Sequence, residues 1–333
     1  MPASQQQKNT VAAEWARHRA IWTAWPSHAD LWQEDLTGAR NEVAAMVRAL
    51  CGGDTMKVLA CGDEAVRSAQ VTLGACAEII PADFGDIWLR DTGPIFVYRS
   101  GSLKALRFAN NGWGGKYDLP GDDTVGDAVA KSAGAEISRF GFVLEGGAVE
   151  HNGAGLLLTT RQCLLNPNRN ADWNEQRAEA LLQEAFACKR VLWLENGLLN
   201  DHTDGHVDNL ARFISDDEVV CQSASGADDP NAVLYETIAR ELGEMGLTIH
   251  RIPSPGRVLN ADTEIMPASH MNFIIGNTAV VVPVYDAMRG DAAVRALQKL
   301  FPEHKVVGIN SSHLLTGGGS FHCITQQEPI VSE

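Results

Sequence analysis

The stretch Ile95-Phe-Val-Tyr-Arg-Ser-Gly-Ser-Leu-Lys-Ala-Leu-Arg-Phe108 reads as two short strands folded back on each other at Ser100-Gly101. Branched and aromatic residues suit a pleated, half-buried surface, and glycine suits the backbone of a tight turn. Three further segments repeat the pattern: 149–165 around Asn152-Gly153, 210–222 around Ser215-Asp216-Asp217, and 273–284 around Gly276-Asn277. The four starts lie 54, 61 and 63 residues apart. Most are followed by a polar loop and an amphipathic helical stretch, at 178–187, 232–245 and 292–300. An amphipathic helix at 37–50 and a short buried strand at 57–61 supply the same parts nearer the N-terminus. A fifth unit is expected from the C-terminal end joined to 21–25. Spaced strands alone fit any α/β protein. Repetition of one supersecondary unit fits a ring, whose inner loops converge on one centre. No linker-like or low-complexity stretch divides the sequence, so one domain over 1–333, with its core at 12–330, is expected.

Four dense motifs punctuate these units. They are Asp86-Ile-Trp88-Leu-Arg90-Asp91-Thr-Gly93-Pro94, Glu145-Gly146-Gly147, Gly205-His206-Val-Asp208-Asn209 and Gly317-Gly318-Gly319-Ser-Phe-His322-Cys323-Ile-Thr325-Gln326-Gln327. Each falls where a strand gives way to a loop, a common setting for catalytic residues. In extended chain, residues two apart share a face. On that basis His206 and Asp208 project together, Trp88 and Arg90 share one face, and Asp91 takes the other. The glycines before Cys323 let the backbone turn sharply and approach a ligand. A cysteine with a distant histidine and several acids is a nucleophile-and-base arrangement. Acids near a thiol suppress its thiolate, so the set makes sense when the substrate is itself a cation. A guanidinium stays charged at neutral pH, and its planar fork of N–H donors matches carboxylates. Once bound, it offsets the acids and favours the thiolate. Taken singly, Cys323 also fits a buried thiol, His206 a core histidine, Asp91 a turn acid, Glu145 a loop residue, and Trp88 and Trp113 core aromatics. Their joint placement carries the functional reading.

The bulk composition narrows the partners. Lys and Arg number 27 against 42 Asp and Glu, a net −15. Such acidity keeps a protein soluble, attracts cationic ligands and lacks the basic footprint of a nucleic-acid binder. Hydrophobic residues at 45% and charged residues at 21% are an ordinary globular balance. Residues 1–10 carry no apolar signal core, and the most apolar stretch, 273–284, is too short to span a bilayer. Seven cysteines without a Cys-x-x-Cys pair suit free thiols in a reducing compartment, so a cytoplasmic location is expected. Cys51, Cys61, Cys76, Cys163, Cys188 and Cys221 sit in ordinary apolar sequence and are expected to be structural.

With these motifs in this order, the chain resembles the agmatine deiminase family of the guanidino-group-modifying superfamily. The resemblance runs from 15 to 329 and includes Asn111-Gly-Trp113-Gly-Gly115 and Cys163-Leu-Leu-Asn166-Pro-Asn-Arg169-Asn170. It implies a five-bladed, pseudo-symmetric α/β propeller of repeated ββαβ-type units. It also implies hydrolysis of agmatine to N-carbamoylputrescine and ammonia, with no metal or organic cofactor. By the same resemblance Cys323 corresponds to the nucleophile and His206 to the general acid/base. Asp91 and Asp208 correspond to the guanidinium-binding carboxylates, and Glu145 to the acid supporting guanidinium and histidine. Trp88, Trp113 and Gly318 correspond to positions beside the substrate. Two segments depart from the family pattern, Asn110-Asn111-Gly112 and Ser269-His270-Met271, and bear on the substrate's far end.

Three other readings share these residues. His202 and His206, with Asp201, Asp204 and Asp208 nearby, have metal-ligand spacing in a metallohydrolase. A binding module for cationic amines would need neither Cys323 nor His206. A related guanidino-modifying enzyme would act instead on arginine or peptidyl-arginine. The expected partner is a small cationic guanidino substrate, with no nucleic acid and no membrane; a homo-oligomer is left open.

Overall fold

Each hairpin read from the sequence begins a small sheet, which the strand after the next helix completes. In the computed structural model, which describes residues 9–99 and 101–330, Ile95–Arg99 pairs antiparallel with Ser102–Ala109. Ser102–Ala109 then pairs parallel with Glu136–Val143 across the helix Val125–Ser132. The same order links Val149–His151, Leu156–Thr160 and Arg190–Leu194 across the helix Glu175–Phe186. It recurs in Ala211–Phe213, Glu218–Ser223 and Thr248–Pro253 across Ala232–Glu244. Ile274–Ile275, Ala279–Val284 and Lys305–Asn310 repeat it across Ala287–Leu300. Parallel neighbours cannot be joined by a tight turn, which is why a helix stands between the last two strands of every unit.

The fifth unit is made from both ends of the described chain. Thr325–Pro329 pairs antiparallel with His18–Ala24, which pairs parallel with Met56–Ala60 across the helix Leu36–Leu50, and Glu78–Pro81 adds an outer strand. Five separate sheets of four, three, three, three and four strands therefore form the five blades of an α/β propeller. Ser100, one half of the first expected turn, lies outside the described residues, as do 1–8 and 331–333 of the expected domain span.

Several boundaries differ from expectation for local reasons. The second hairpin stops at Thr160, whose hydroxyl accepts the Cys163 N–H and turns Arg161–Leu164 into helix. The helix expected from 178 begins at Glu175 because the Asn174 side chain caps it on Arg177 N. The one expected from 292 begins at Ala287, capped by Asp286 on Arg289 N.

Apolar side chains pack between sheets and outer helices in four clusters shared among the blades. The axis of the ring is polar instead. Arg212, fully buried on an inner strand, donates from Nε to Glu150 at 3.0 Å and from Nη1 to the Phe273 carbonyl at 2.6 Å, and it pairs with Glu14. Arg90 donates from Nη1 to Gln326 at 3.1 Å and to Gln327 at 2.8 Å. Burial opposes ionisation of Glu14, but Arg212, His322 and Arg90 outweigh it and hold this carboxyl well below the usual range. This network is the floor on which the loops of the next subsection rest. Among the described residues, no helix is long and apolar enough to cross a membrane.

Candidate active site

The first motif is not extended as the sequence suggested. Leu89–Thr92 is a single helical turn, so residues three apart share a face and residues two apart do not. Trp88 and Asp91 therefore line the same pocket, while Arg90 points down into the axial network. The expected pairing of Trp88 with Arg90, opposite Asp91, is corrected on this point. The third motif likewise enters a short 3-10 turn, Val207–Asn209, immediately after His206. His206 and Asp208 nonetheless reach the same place.

That place is defined by a missing side chain. A Cβ on Gly147 would stand 2.6 Å from His206 Nδ1, 3.0 Å from Asp91 Oδ1 and 3.1 Å from Asp208 Oδ2. A Cβ on Gly146 would meet the Arg90 carbonyl at 2.1 Å. Both glycines after Glu145 are thus required by close approach. Asp91 is oriented by two donors, Gly147 N to Oδ1 and Trp113 Nε1 to Oδ2, each at 2.8 Å. Trp113 holds this indole by adopting φ of +53°, flanked by glycines at positive φ. A non-glycine residue in the left-handed region is a strained feature of the kind that collects at functional sites.

Cys323 arrives from the glycine loop on the opposite side. Asn272 fixes it twice: its Oδ1 accepts from Cys323 N at 3.1 Å, and its Nδ2 donates to Sγ at 3.0 Å. The thiol lies 3.5 Å from Asp208 Oδ2. Burial, then Asp208 and Asp91, push the Cys323 thiol well above its ordinary value. Burial also opposes the charge on His206, but Asp91, Cys163 and Glu145 outweigh it and hold the imidazolium well above the usual histidine range. Asp208 is held low against burial by His322, whose Nδ1 stands 2.8 Å from Oδ2. Burial pushes Asp91 up. His206 stands 3.8 Å from Asp91 and 3.9 Å from Glu145, too far for hydrogen bonds, so both ring nitrogens lack partners. Burial and the carboxylates thus disfavour the thiolate while the acids favour the imidazolium, a balance that a cation near both carboxylates would shift.

Of the residues expected at the site, Trp88, Asp91, Trp113, Gly318 and Cys323 line one pocket of about 200 Å³ open to solvent. His206, Asp208 and Glu145 stand just behind this surface, fully or almost fully buried. Glu145 is held by Arg169 Nε at 2.7 Å. The remaining wall is Leu31, Asp86, Tyr117, Leu119, His202, Thr203, Thr316, Gly317 and Gly319; among the described residues no lysine or arginine lines it. Asn272, Asp86, Glu14 and His322 were not singled out from the sequence as site residues. His322 is adjacent to Cys323 and Asp86 lies within the first motif, so both had a local signal. Asn272 and Glu14 stand 51 and 308 positions from the residues they support and had none.

The metal-ligand spacing in the third motif does not converge. His202 faces the Tyr117 hydroxyl at 3.0 Å, Asp201 bonds Thr203, Asp204 pairs with Lys116 and Arg169, and Asp208 meets His322. Another trio does bring ligand atoms within 4.8 Å: Glu145, Cys163 and His206. A metal there would require a Cys163 thiolate, and burial pushes that thiol up, while Glu145 is already engaged by Arg169. Cys163 is buried in an apolar cluster as expected, and it also lies against His206 and Glu145. The two segments that depart from the family pattern stay off the pocket wall. Asn110, Asn111 and Gly112 line a neighbouring groove, and a Cβ on Gly112 would sit 1.7 Å from the Tyr117 carbonyl. Ser269 and His270 are buried, bonding the carbonyls of Asn209 and Pro253.

Comparison with known proteins follows the same geometry. A family model described as Porphyromonas-type peptidyl-arginine deiminase matches residues 10–329. The chain is 35% identical over 352 residues to the agmatine deiminase of Stutzerimonas stutzeri (strain A1501), covering 96% of this chain and 95% of that one. It superposes on a substrate-bound Cys-to-Ser variant of the C. jejuni agmatine deiminase with a TM-score of 0.91, at 28% identity over 97% of each chain. The agmatine deiminase of Enterococcus faecalis, captured catalysing its reaction, gives the same TM-score and identity over 97% of this chain and 96% of that one.

Proposed function

The chain belongs to the Porphyromonas-type peptidyl-arginine deiminase family, and on that premise we propose that it is an agmatine deiminase, hydrolysing agmatine and water to N-carbamoylputrescine and ammonia. The observation that carries this is the convergence of His206, Asp91 and Asp208 around Gly147, at the base of a pocket lined by Asp91 and Cys323, with Cys323 Sγ 3.5 Å from Asp208. A planar guanidinium entering that pocket becomes a charge partner for two carboxylates that otherwise suppress the thiol.

The steps follow from the protonation states. Bound guanidinium offsets Asp91 and Asp208, and the Cys323 thiol gives its proton to the solvent that reaches the open pocket, from which the released ammonia later takes one as ammonium. Sγ, with Asn272 Nδ2 donating to it, adds to the guanidinium carbon. His206, already an imidazolium, protonates one terminal nitrogen, and the C–N bond breaks to release ammonia. An amidino-thioether remains on Cys323. Neutral His206 then takes a proton from water, whose oxygen adds to the same carbon. Collapse breaks the C–S bond, returns the electron pair to sulfur and leaves the ureido product. Glu145, held by Arg169 and 3.9 Å from the imidazole, adds to the field that keeps it charged. The propeller over 12–330 acts as one catalytic domain. Seven free thiols support work in the reducing cytoplasm.

Two expectations test the reading. Asp91→Asn and Asp208→Asn each remove a charge-assisted partner of the guanidinium, worth about 1.5–3 kcal/mol per hydrogen bond. Steady-state kinetics should show kcat/KM for agmatine falling by roughly 10- to 100-fold in each; unchanged constants in both would put the guanidinium elsewhere. Agmatine should also exceed free arginine by at least about 100-fold in kcat/KM, because the pocket wall has no lysine or arginine for the α-carboxylate and burying it unpaired costs several kcal/mol. Equal or better turnover of arginine or of peptidyl-arginine would keep the deiminase chemistry and overturn the substrate.

A further inference from the structure

The pocket contains a carboxylate that the reaction at Cys323 does not use. Asp86 lines the wall and is only 7% exposed. Its Oδ1 accepts from Trp32 Nε1 at 2.9 Å and its Oδ2 from Trp88 Nε1 at 2.8 Å. The backbone N–H groups of Gly85 and Asp86 both donate to Asp122 Oδ1, at 3.0 and 3.2 Å, which pins the loop. A carboxylate offers about four acceptor sites, so the two indoles and the Ile87 N–H, which also acts on it, leave room for a further donor. Among the described residues no lysine or arginine pairs with Asp86. His28, whose charge acts on it, spends its ring Nε2 on the Phe84 carbonyl at 2.8 Å. A buried carboxylate without a cation is costly unless something supplies one.

Its position relative to the nucleophile is set by one indole. Trp88 Nε1 meets Asp86, while Cζ3, on the far side of the same ring system, lies 2.6 Å from where a Cβ on Gly319 would stand. That same point is 3.2 Å from Cys323 Sγ. Asp86 and Cys323 therefore stand at opposite edges of the Trp88 indole, and Asp91, held by the Trp113 indole, lines the same pocket. An unbranched alkyl chain laid along that ring would have a guanidinium at one end and a vacant carboxylate at the other.

We propose that Asp86 is the anchor for the free ammonium at the distal end of the substrate, so that the pocket selects a guanidine tethered to an amine across one indole. This rests on the deiminase reading above. It explains selection by attraction at the far end, beyond the mere lack of a cation for arginine's carboxylate, which Asp86 would also repel.

The test compares agmatine with n-butylguanidine, which has the same four carbons and no amine. The wild-type enzyme should favour agmatine in kcat/KM by roughly 10- to 100-fold, the span of a charge-assisted hydrogen bond. In Asp86→Asn the loss on agmatine should exceed the loss on butylguanidine by at least about tenfold. Equal use of both guanidines by the wild type overturns the assignment, and needs no variant. Equal losses on both in Asp86→Asn also overturn it, because Asp86 would then serve only to hold the two indoles. If neither guanidine yields ammonia while another guanidino compound does, the proposed function fails and this assignment with it; if agmatine is turned over without preference, only this assignment fails.

Discussion

Cys323→Ala is expected to abolish ammonia release from agmatine. The covalent route depends on a sulfur at this position, and no other group on the pocket wall can take its place. The other thiol near the chemistry, Cys163, lies behind His206 rather than on the pocket wall. A second readout separates loss of the nucleophile from loss of the fold. Because burial and two carboxylates push the Cys323 thiol well up, a neutral alkylating agent should label it slowly at neutral pH. A haloacetamidine carries its own positive charge into the Asp91–Asp208 site and should label Cys323 quickly and selectively, as intact and peptide mass measurements would show. Substantial turnover by the alanine variant would end the covalent mechanism. Faster labelling by the neutral reagent would remove the argument that the substrate's charge switches on the thiol.

His206→Ala is expected to lower kcat by roughly 10²–10⁴-fold, the range for a positioned acid–base group. The two halves of the reaction need opposite forms of this residue. The imidazolium must exist when ammonia leaves, and the surrounding Asp91, Cys163 and Glu145 hold it charged against burial. The neutral ring must exist when water attacks, and it is formed by the first step itself. In the wild type, kcat/KM should pass through a maximum with pH, because the reaction needs the thiolate and the imidazolium together. The alanine variant should lose one of the two limbs, and rapid quenching with mass analysis should find an amidino adduct if hydrolysis is the slower half. A variant within a few-fold of wild type, keeping both limbs, would make His206 a structural residue.

The parts of this architecture that announce themselves in sequence are those fixed by neighbours along the chain. Gly153 and the Gly276-Asn277 pair sit at turns between strands, and their spacing marks out the blades. The glycines before Cys323 signal close approach, and Gly317 and Gly319 prove to face Trp88; Gly146 and Gly147, which carry no such reading in the sequence, face the Arg90 carbonyl and His206. What stayed hidden is short or distant. Leu89–Thr92 is four residues long, too brief to show a helical period, so alternation misassigned the partner of Trp88. The start of Ala287–Leu300 turns on one capping carboxylate, Asp286, placed before an otherwise weak pattern. Asn272 reaches Cys323 across 51 positions, and Glu14 reaches His322 across 308, through packing that no local window contains. The departure at Gly112 looked like a change in substrate contact and is instead a backbone requirement, since any side chain there would strike the Tyr117 carbonyl.

The fifth blade carries a consequence for how the protein comes into being. Trp22 and Glu328 meet at 2.9 Å across 306 positions of sequence, and the strand bearing Glu328 begins two residues after the nucleophile. Synthesis proceeds from the N-terminus, and domains assemble as their parts emerge. Four blades can be complete on a nascent chain while His18–Ala24 still waits for its antiparallel neighbour. Long-range pairing of this kind is slow, because the loop must close before its contacts reward it. Cys323 therefore enters its pocket at the same moment the circle shuts. A half-made chain has carboxylates, histidine and indoles in hand but not the pocket's own thiol, Cys323, and so it cannot trap a guanidine on that sulfur until it is finished.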